Sequence, residues 1–559
     1  MSHQPFIDAA LGKTPCDLLI QNIRYLDVFA CEWREGDIAI FRGKIVALDP
    51  GMKAKRVIDG RGKFLVPGFI DAHVHVESSL VVPRNFERSV LPLGTTTAIC
   101  DPHELTNVLG TQALQYFLDE AEVLKLNLRV MLSSCVPATH LETNGGGVVL
   151  AQDLLPFKSH RKALGLAEMM NVPGVLMGDA VVHDKLQAFS DRSIDGHAPL
   201  LSGQALSAYA LCGISSCHES SQLEEAREKL TKGIAVWIRE GSVAKDLHAL
   251  SSLLTLGASP SLGFCTDDRN PLDIAQEGHL DYLIRESIRL GVDPKVAYRA
   301  ASFSVALHYG LNVGPERVGA IAPGFIADLV LLDDEKSCAI HSVLKAGAFT
   351  NELDFISVDH LSFQNTIYAD AVTALDLEGP KGNVHVMGVI PGKIITDRAV
   401  LAHDDPKVAK LSVVERHGKK LKPSNAYVLG FGESLDGAIA SSVGHDSHNL
   451  IVVGKNTESM AIAVNALKSM GGGFCVVKGD QVISSLALPV GGLMSTADPE
   501  RIKQSLIDLR AASRSIGCTL AEPFLQLAFL SLPVIPSLKL TDQGLVDVDQ
   551  FKVIDVRAS

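Results

Sequence analysis

Histidine and carboxylate side chains recur at the ends of short apolar stretches in the first half of the chain. His73 and His75 are two residues apart, and on a β-strand such residues point to the same face, so both imidazoles can bind one metal ion. Four further candidate ligands follow singly: Glu168, His197, His218 and Asp267. Imidazole and carboxylate groups suit Zn, Fe, Mn, Co or Ni, and the ligand types alone do not choose among them. The pattern predicts a divalent metal centre.

The number of candidate ligands bears on the number of metal ions. A catalytic zinc ion keeps about three protein ligands, whereas this set holds four histidines and two carboxylates. We therefore expect two ions per chain, with Glu168 as the bridge because it falls between the first pair of histidines and the later two. Each residue alone has an ordinary explanation, since single buried histidines are mostly structural. Their common position at the ends of apolar stretches favours the metal site.

Eight short apolar stretches carry these residues and alternate with longer, amphipathic segments. They span residues 69–75, 95–101, 128–136, 163–168, 193–198, 213–219, 234–240 and 262–268. Eight strand–helix alternations in about 250 residues are typical of a (β/α)8 barrel. In that fold the carboxyl ends of all strands surround one site, so ligands that are far apart in sequence converge there.

The chain divides into further parts around this barrel, which we place at residues 67–318. Residues 1–66 alternate polar and apolar residues between turns and predict the first part of a β-sandwich. Residues 319–354 return to the strand pattern and predict the strands that complete it. Residues 355–559 predict an additional C-terminal α/β domain, so the whole chain is of the α/β class. The polar HDSHN tract at residues 445–449 fits a lid over the site, an accessory metal site or a capped loop of the C-terminal domain, and of these we favour a loop or lid near the mouth of the site.

Several tracts resemble those of the amidohydrolase superfamily and, within it, of the bacterial adenine deaminase family. In the barrel they are PGFIDAHVHVESS, GTTTAICDPHELTNVLG, GLAEMMNVPGV, DGHAP, GISSCHE and CTDD. In the C-terminal part IPGKIITD, SVGHDSHNLIVVG and LPVGGLMS match as well, so the resemblance covers nearly the whole chain. The HxH pair is shared by many relatives, whereas DPHE, AEMM and GHDSHN together are more specific.

The resemblance implies an activity and a metal centre. The activity is the hydrolysis of adenine to hypoxanthine and ammonia, a reaction of purine salvage and adenine catabolism. The centre is a binuclear site that holds manganese or iron, and zinc would also fit. The family pattern falls on the six residues named above, with the bridging carboxylate at Glu168: His73, His75, Glu168, His197, His218 and Asp267.

Deamination requires that water adds to an electron-poor ring carbon before ammonia leaves. A metal ion lowers the pKa of that water towards neutrality and fixes its position. Asp267, at the end of the eighth apolar stretch, is expected to accept a proton from the water and to deliver it to the leaving amino group.

Other polar residues near the predicted strand ends are candidates for the ring side of the reaction. We expect Glu219 to protonate a ring nitrogen as charge develops there. Glu77 and His103 are the alternative catalytic groups, or they orient the metal ligands. Glu104 and Asp268 are expected to contact the substrate.

The composition excludes several other classes of protein. Lys and Arg number 51 and Asp and Glu number 64, which gives a formal net charge of −13 and argues against partners that need a basic face, such as nucleic acid or an anionic membrane. No apolar run is long enough for a membrane span, and the first residues do not read as a signal peptide. The ten cysteines include no CxxC pair and predict reduced thiols. We expect a cytoplasmic homodimer or other homo-oligomer that acts on a small molecule.

Three other functions stay open from the sequence. A cyclic amidase related to dihydroorotase would carry a carboxylated lysine at the end of the fourth strand, where this chain has Glu168 and places Lys162 upstream. A mononuclear deaminase of another nucleobase would bind one ion instead of two. A non-enzymatic scaffold built on the barrel would usually lose metal ligands, which this chain keeps.

Overall fold

A computed structural model describes residues 3–357 and 363–558 of the chain. It begins with one helix and five strands: α1 (Gln4–Ala10), β1 (Cys16–Asp27), β2 (Glu32–Phe41), β3 (Lys44–Ala47), β4 (Ala54–Asp59) and β5 (Phe64–Pro67). A bulge between Ile20 and Ile23 interrupts the pairing of β1 with β2. The first half of β1 pairs parallel with β4 and the second half with β5, so one bent strand organises the N-terminal sheet.

The described residues 69–265 form a barrel of eight parallel strands, each paired with its neighbour in chain order. The strands are β6 (Phe69–Val74), β7 (Thr95–Cys100), β8 (Asn127–Leu132), β9 (Ala163–Met169), β10 (Ser193–Gly196), β11 (Ser216–Cys217), β12 (Ala235–Arg239) and β13 (Leu262–Cys265). The two edges meet where the Asp267 N–H donates to the His73 carbonyl (3.0 Å) and the His75 N–H donates to the Asp267 carbonyl (3.2 Å). The predicted barrel is confirmed, and its closure joins two of the predicted ligand segments.

Helices follow the strands and cover the outside of the barrel. They are α2 (Pro83–Val90), α3 (His103–Leu109), α4 (Thr111–Val123), α5 (Ala151–Lys158), α6 (Val172–Met177), α7 (Ala180–Ala188), α8 (Gly203–Leu211), α9 (Leu223–Thr231), α10 (Leu247–Leu250), α11 (Pro271–Gln276), α12 (Leu280–Arg289), α13 (Pro294–Ala300) and α14 (Phe303–His308). Strands β6 and β7 are buried along their whole length, as parallel strands covered on both faces must be. Among the described residues, no helix combines the length and the apolar character that crossing a membrane requires.

The chain then returns to the N-terminal sheet with three strands: β14 (Leu329–Asp334), β15 (Ala339–Lys345) and β16 (Ala348–Phe349). Strand β14 pairs antiparallel with β5, so residues from both flanks of the barrel form one composite sheet, as the sequence predicts. The Lys345 ammonium donates to the Thr96 carbonyl of β7 (3.0 Å) and ties this sheet to the barrel.

The C-terminal part combines strands and helices, as expected. Its described elements are β17 (Asn383–Val389), β18 (Thr396–Ala402), β19 (Ala409–Val414), β20 (Ser424–Leu429), β21 (Ala438–Ser441), β22 (Leu450–Gly454), α15 (Thr457–Ser469), β23 (Gly473–Lys478), β24 (Gln481–Ala487), α16 (Pro499–Ser515), α17 (Pro523–Ala528), β25 (Leu538–Thr541), β26 (Gly544–Asp547) and β27 (Lys552–Ile554). Strands β17 to β24 form one sheet and β25 to β27 another, and β17 pairs parallel with β20 whereas the other described pairs are antiparallel. The domain boundaries drawn from the sequence stay predictions, and residues 358–362 and 559 lie outside the described residues.

The C-terminal part packs on the end of the barrel that bears the predicted ligands. Just after β6, the Leu80 carbonyl accepts a hydrogen bond from the Ser495 N–H (2.8 Å), and the Val82 N–H donates to the Ser495 carbonyl (3.2 Å). In the loop after β8, the Thr143 carbonyl accepts from Asn449 Nδ2 (3.0 Å). The polar tract of residues 445–449 is thereby held against the barrel.

Candidate metal centre and active site

His73 and His75 stand at the carboxyl end of β6 and are almost fully buried, with exposed fractions of 1% and 4%. Their Nε2 atoms lie 3.1 Å apart. The Nδ1 of His75 lies 2.9 Å from the Asp101 carbonyl oxygen, which is an acceptor, so Nδ1 carries a proton and Nε2 is the nitrogen that can bind a metal ion. The two imidazoles present neighbouring nitrogens to one point, as their spacing predicts.

Glu168, near the carboxyl end of β9, lies between two groups of imidazoles. Its Oε1 lies 3.7 Å from His73 Nε2 and 3.4 Å from His75 Nε2. Its Oε2 lies 2.6 Å from His197 Nδ1 and 3.3 Å from His218 Nε2. Burial opposes ionisation, but the charges of these later two histidines hold the pKa of Glu168 well below its usual range. Each oxygen of an ionised carboxylate therefore faces a different imidazole pair, which is the arrangement that a bridging ligand needs.

Asp267 follows β13 and joins the cluster from the last strand of the barrel. Its Oδ1 lies 3.6 Å from His73 Nε2 and 3.2 Å from His75 Nε2. Its Oδ2 accepts a hydrogen bond from Arg239 Nη1 (3.1 Å). Burial opposes ionisation, but the His75 hydrogen bond and the charges of His218 and Arg239 hold the pKa of Asp267 well below its usual range. One oxygen faces the metal ligands, and a guanidinium holds the other.

The predicted ligands converge in one buried cluster whose chemistry fits a divalent cation. Subsets of their nitrogen and oxygen atoms lie within 4.8 Å of one another, namely His73, His218 and Asp267 in one subset and Glu168, His197 and His218 in another. The Nε2 of His197 is buried and has no hydrogen-bond partner among the described residues. A buried polar atom without a partner is costly, and imidazoles mixed with carboxylates are the donors that Zn, Fe and Mn accept.

Arg239, the last residue of β12, is a site residue that the sequence analysis did not single out. Its two Nη atoms donate to the two oxygens of Glu219, with 3.0 Å between Nη2 and Oε2. Its Nε and Nη2 also donate to Asp246 Oδ2, at 3.2 and 3.0 Å. Burial opposes ionisation, but the Arg239 charge holds the pKa of Glu219 below its usual value. Arg239 stands at the end of an apolar stretch, as the predicted ligands do, so its position in the sequence could have indicated a site residue.

Glu219 lines the pocket as an ionised hydrogen-bond acceptor, and its role as a proton donor stays a prediction. His103 also lines the pocket, and its Nδ1 lies 3.4 Å from Glu168 Oε1. Glu77 is fully buried, and its Oε1 accepts a hydrogen bond from the Leu105 N–H (3.1 Å). Burial, together with a neighbouring negative charge, raises the pKa of Glu77 to about 8. Of the predicted ring-side donors, Glu77 and His103 therefore have a raised pKa, whereas the pKa of Glu219 is lowered.

The predicted substrate contacts, Glu104 and Asp268, meet at one hydroxyl group. Ser78 Oγ lies 2.9 Å from Glu104 Oε1 and 2.5 Å from Asp268 Oδ1. Asp268 lines the same pocket as Asp267, whereas Glu104 faces the C-terminal domain, with 3.7 Å between its Oε2 and His448 Nε2. Contact of either carboxylate with the substrate stays a prediction.

The C-terminal domain forms one wall of the pocket, through Ile394, His445, Asp446, Phe529 and Leu532. The His445 ring stacks on Phe529, with centroids 4.6 Å apart and planes 7° apart. Asp446 Oδ1 lies 3.5 Å from His103 Nε2. The polar tract at residues 445–449 thus lies at the site, as its composition predicts. The apolar members of the wall could not be identified, because single apolar residues in loops look like core residues.

The comparisons with known proteins agree with this geometry. The model of the amidohydrolase family matches residues 64–350, and that of the adenine deaminase C-terminal domain matches residues 393–552. The chain is 52% identical over 552 residues to an adenine deaminase of Gluconobacter oxydans, and the alignment covers 96% of this chain and 97% of that protein. It is 49% identical over 563 residues to adenine deaminase 1 of Rhizobium meliloti, with 98% of both chains covered. It is 50% identical over 558 residues to an adenine deaminase of Methylobacterium nodulans, with 97% of this chain and 98% of that protein covered.

A (β/α)8 barrel with buried histidines and carboxylates at its strand ends defines a metal-dependent hydrolase. Strand β9 starts after Lys162 and carries Glu168 near its end, so a glutamate stands where a cyclic amidase would have its carboxylated lysine. The family implies a divalent metal ion, and the buried clusters can hold one. The chain belongs to the amidohydrolase family and, within it, to the adenine deaminases.

Proposed function

We propose that the protein hydrolyses adenine to hypoxanthine and ammonia with the help of two divalent ions, manganese or iron. The observation that carries the proposal is the position of Glu168, whose two oxygens face two different pairs of imidazoles. The name that the relatives share, adenine deaminase, supports the choice of substrate.

The proposed ligands divide into two groups around Glu168. The imidazoles of β6 lie on its Oε1 side, and those that follow β10 and β11 lie on its Oε2 side. Asp267 faces the β6 group. When bound, divalent ions lower the pKa of a water molecule towards neutrality and hold it in place for attack on the ring. Zinc would be held by the same donors.

Asp267 is proposed to move one of the two protons that hydrolysis requires. The water oxygen forms a bond to the ring carbon, and the bond from that carbon to the amino nitrogen breaks. One hydrogen of the water ends on ammonia and the other on the ring of hypoxanthine. Arg239 fixes Oδ2 of Asp267 and leaves Oδ1 towards the cluster, so this carboxylate can accept a proton there and deliver it to the amino group.

The second proton has to reach a ring nitrogen. Glu219 is the proposed donor, and because its oxygens bind a guanidinium it would first have to take up a proton. Glu77 and His103 are the alternatives, since the pKa of each is raised, and of the two His103 lines the pocket. We propose that Asp268, on the pocket wall, and Glu104, linked to it by a hydroxyl, help to bind the edge of the base.

The pocket walls support a flat, uncharged base as the substrate. Apolar side chains line the pocket together with the polar cluster: Met170, Ile394, Phe529 and Leu532. A purine has two apolar faces and a polar edge, so it matches a pocket that combines an apolar wall with a few hydrogen-bonding groups. We extend the proposal to a homo-oligomeric enzyme of purine salvage in the cytoplasm. The cysteines are free thiols, which is the usual state in a reducing compartment such as the cytoplasm.

A substrate panel tests the proposed function. Protein loaded with Mn²⁺ is incubated with adenine, adenosine, guanine, cytosine and dihydroorotate, and ammonia release or ring opening is measured. We expect adenine to be the best substrate and adenosine a poor one. Equal turnover of adenosine and adenine, or ring opening of dihydroorotate without deamination of adenine, would overturn the proposal. The Asp267→Asn variant, prepared in parallel, controls for a contaminating deaminase.

A further inference from the structure

A second group of metal-binding side chains lies where the C-terminal domain meets the barrel. Glu104 is on α3, Asp268 follows β13, and His445 belongs to the loop after β21. One ligand atom of each lies within 4.8 Å of the others, and all three residues are buried or lie in the pocket wall. Three separate elements therefore bring two carboxylates and one imidazole to one point.

The imidazole of His445 contributes one ring nitrogen to this group and has one ring nitrogen without a hydrogen-bond partner among the described residues. Its exposed fraction is 3%, and its Nε2 has no hydrogen-bond partner among the described residues. Its Nδ1 lies 3.4 Å from Asp446 Oδ1, on the other side of the ring. A carboxylate behind one imidazole nitrogen fixes the proton there and leaves the other nitrogen as a ligand, which is the usual support of a metal-binding histidine.

The two carboxylates also have groups that orient them. The Ser78 hydroxyl lies between Glu104 Oε1 and Asp268 Oδ1, at 2.9 and 2.5 Å, and donates to one of them at a time. The Nδ1 of His448 lies within 3.3 Å of the Gly444 N–H, which makes Nδ1 an acceptor and places the proton of a neutral ring on Nε2. That Nε2 faces the second oxygen of Glu104 at 3.7 Å. This distance is too long for a hydrogen bond, so His448 Nε2 is a second buried imidazole nitrogen without a hydrogen-bond partner among the described residues.

We propose a further divalent cation site, distinct from the ions around Glu168, with the ligands Glu104, Asp268 and His445. Two carboxylates and one imidazole suit a first-row ion such as Mn²⁺, Fe²⁺ or Zn²⁺. The ion joins the C-terminal domain to the barrel, because one ligand comes from the former and two from the latter. It also fixes the ring of His445, which stacks on Phe529 in the pocket wall. The site goes beyond the proposed reaction, and because Glu104 and Asp268 are its ligands, an ion bound there takes the place of their direct contact with the base.

Metal content of the full-length protein tests the site. Wild type and the variants His445→Phe and Glu104→Gln are saturated with Mn²⁺, desalted into metal-free buffer, and analysed for Mn per chain by mass spectrometry. Phenylalanine keeps an aromatic ring on Phe529 and removes both ring nitrogens. We expect each variant to hold one Mn fewer per chain than the wild type. The exposed His140→Gln is the control and should hold the wild-type amount.

Anomalous diffraction from wild-type crystals grown with Mn²⁺ keeps the test decisive if a variant does not fold. We expect a peak among the three ligands, separate from those around Glu168. The proposal is overturned if that peak is absent or if the wild type and both variants have equal Mn content. Either result would mean that the three side chains bind protons or the substrate instead of a cation. Adenine turnover is measured on the same wild-type sample. An inactive protein that still shows the peak would contradict the proposed function and not this site.

Discussion

At the scale of single residues, the proposal of two ions in the catalytic cluster rests on Glu168. Two cations at short distance repel each other, and a negative charge between them offsets that repulsion. Each oxygen of Glu168 faces its own pair of imidazoles, and several neighbouring charges keep the carboxylate ionised. An amide of the same size would keep the shape of the site and remove the charge.

We expect Glu168→Gln to bind at least one metal ion fewer per chain than the wild type, as measured by elemental analysis after loading with Mn²⁺. Glu240→Gln is the matched control. Glu240 is also a buried glutamate at the end of a barrel strand, but its Oε2 accepts a hydrogen bond from the Leu247 N–H outside the cluster. An unchanged metal content in Glu168→Gln, or an equal loss in both variants, would contradict the bridging role.

The backbone at Asp267 makes asparagine the informative replacement for the proposed proton carrier. Asp267 has a φ of 53°, a left-handed conformation in which asparagine is better tolerated than most residues. Asp267→Asn therefore keeps the backbone and the size of the side chain but cannot accept a proton. We expect turnover of adenine to fall by about 10² to 10⁴ while the metal content stays normal. A fall of less than about tenfold at full metal content would point to Glu219 as the next residue to test.

The sequence indicates which candidate ligands come together but not the residues that hold them in place. His73 and His75 could be predicted because a two-residue spacing on a strand has a geometric meaning. Arg239 was missed because a charged residue after an apolar stretch is also the ordinary end of a strand. Asp446 lies close to His103 although the two residues are more than 300 positions apart in the chain and belong to different domains. No local sequence pattern predicts such a contact.

At the scale of elements, the eight barrel strands were predictable because each is an apolar stretch that is buried on both faces. Strand β11 is the limiting case, since only Ser216 and Cys217 pair as a strand within the predicted stretch 213–219. The wall formed by the C-terminal domain was not predictable at this detail. Of its apolar members, Ile394 lies in a loop and Phe529 begins a short 3-10 helix after α17, and the position of both depends on long-range packing and not on local periodicity.

A buried lysine links the two segments of that wall. Lys539, on β25, has an exposed fraction of 0%, and its ammonium donates to the Ile394 carbonyl (2.8 Å) and the Phe529 carbonyl (2.9 Å). Burial lowers the pKa of Lys539 to about 7, against about 10.4 in an unfolded chain. The folded protein therefore binds fewer protons here than the unfolded chain between these pH values, and this lysine makes stability rise as the pH rises from about 7 to about 10.

We expect the melting temperature of the wild type, minus that of Lys539→Met, to become more positive between pH 7 and pH 9. The variant lacks the contribution of this lysine to the pH dependence of the free energy of unfolding, which is up to about 1.4 kcal/mol per pH unit. Lys53→Met, at an exposed position, is the control, and its difference from the wild type should stay constant over the same range. A constant difference for Lys539→Met as well would show that its pKa is not lowered by burial. Calorimetry at matched metal concentration provides the measurement.

At the scale of the whole molecule, the active site depends on two domains. The barrel supplies the proposed ligands of the two catalytic ions, and the C-terminal domain supplies a wall with Asp446 and with His445, a proposed ligand of the further ion. The flanking strands form a composite sheet that is tied to β7 by Lys345. Cations in the cluster would bind the folded protein and not the unfolded chain, because the proposed ligands come together only when the barrel closes. Such binding stabilises the fold by mass action.

Chelation should therefore remove activity and lower the thermal stability together. Without cations, the buried imidazoles and carboxylates have only one another as partners. Buried polar groups without full compensation lower the free energy of unfolding. A cation present at about 100 times its dissociation constant contributes about 2.7 kcal/mol, so the melting temperature of the metal-free protein should be measurably lower. Mn²⁺ or Fe²⁺ should restore both activity and melting temperature, whereas Ca²⁺, which prefers all-oxygen sites, should restore neither. Calorimetry, adenine turnover and metal content are measured on the same samples, and full activity of a protein shown to contain no metal would contradict the proposed mechanism.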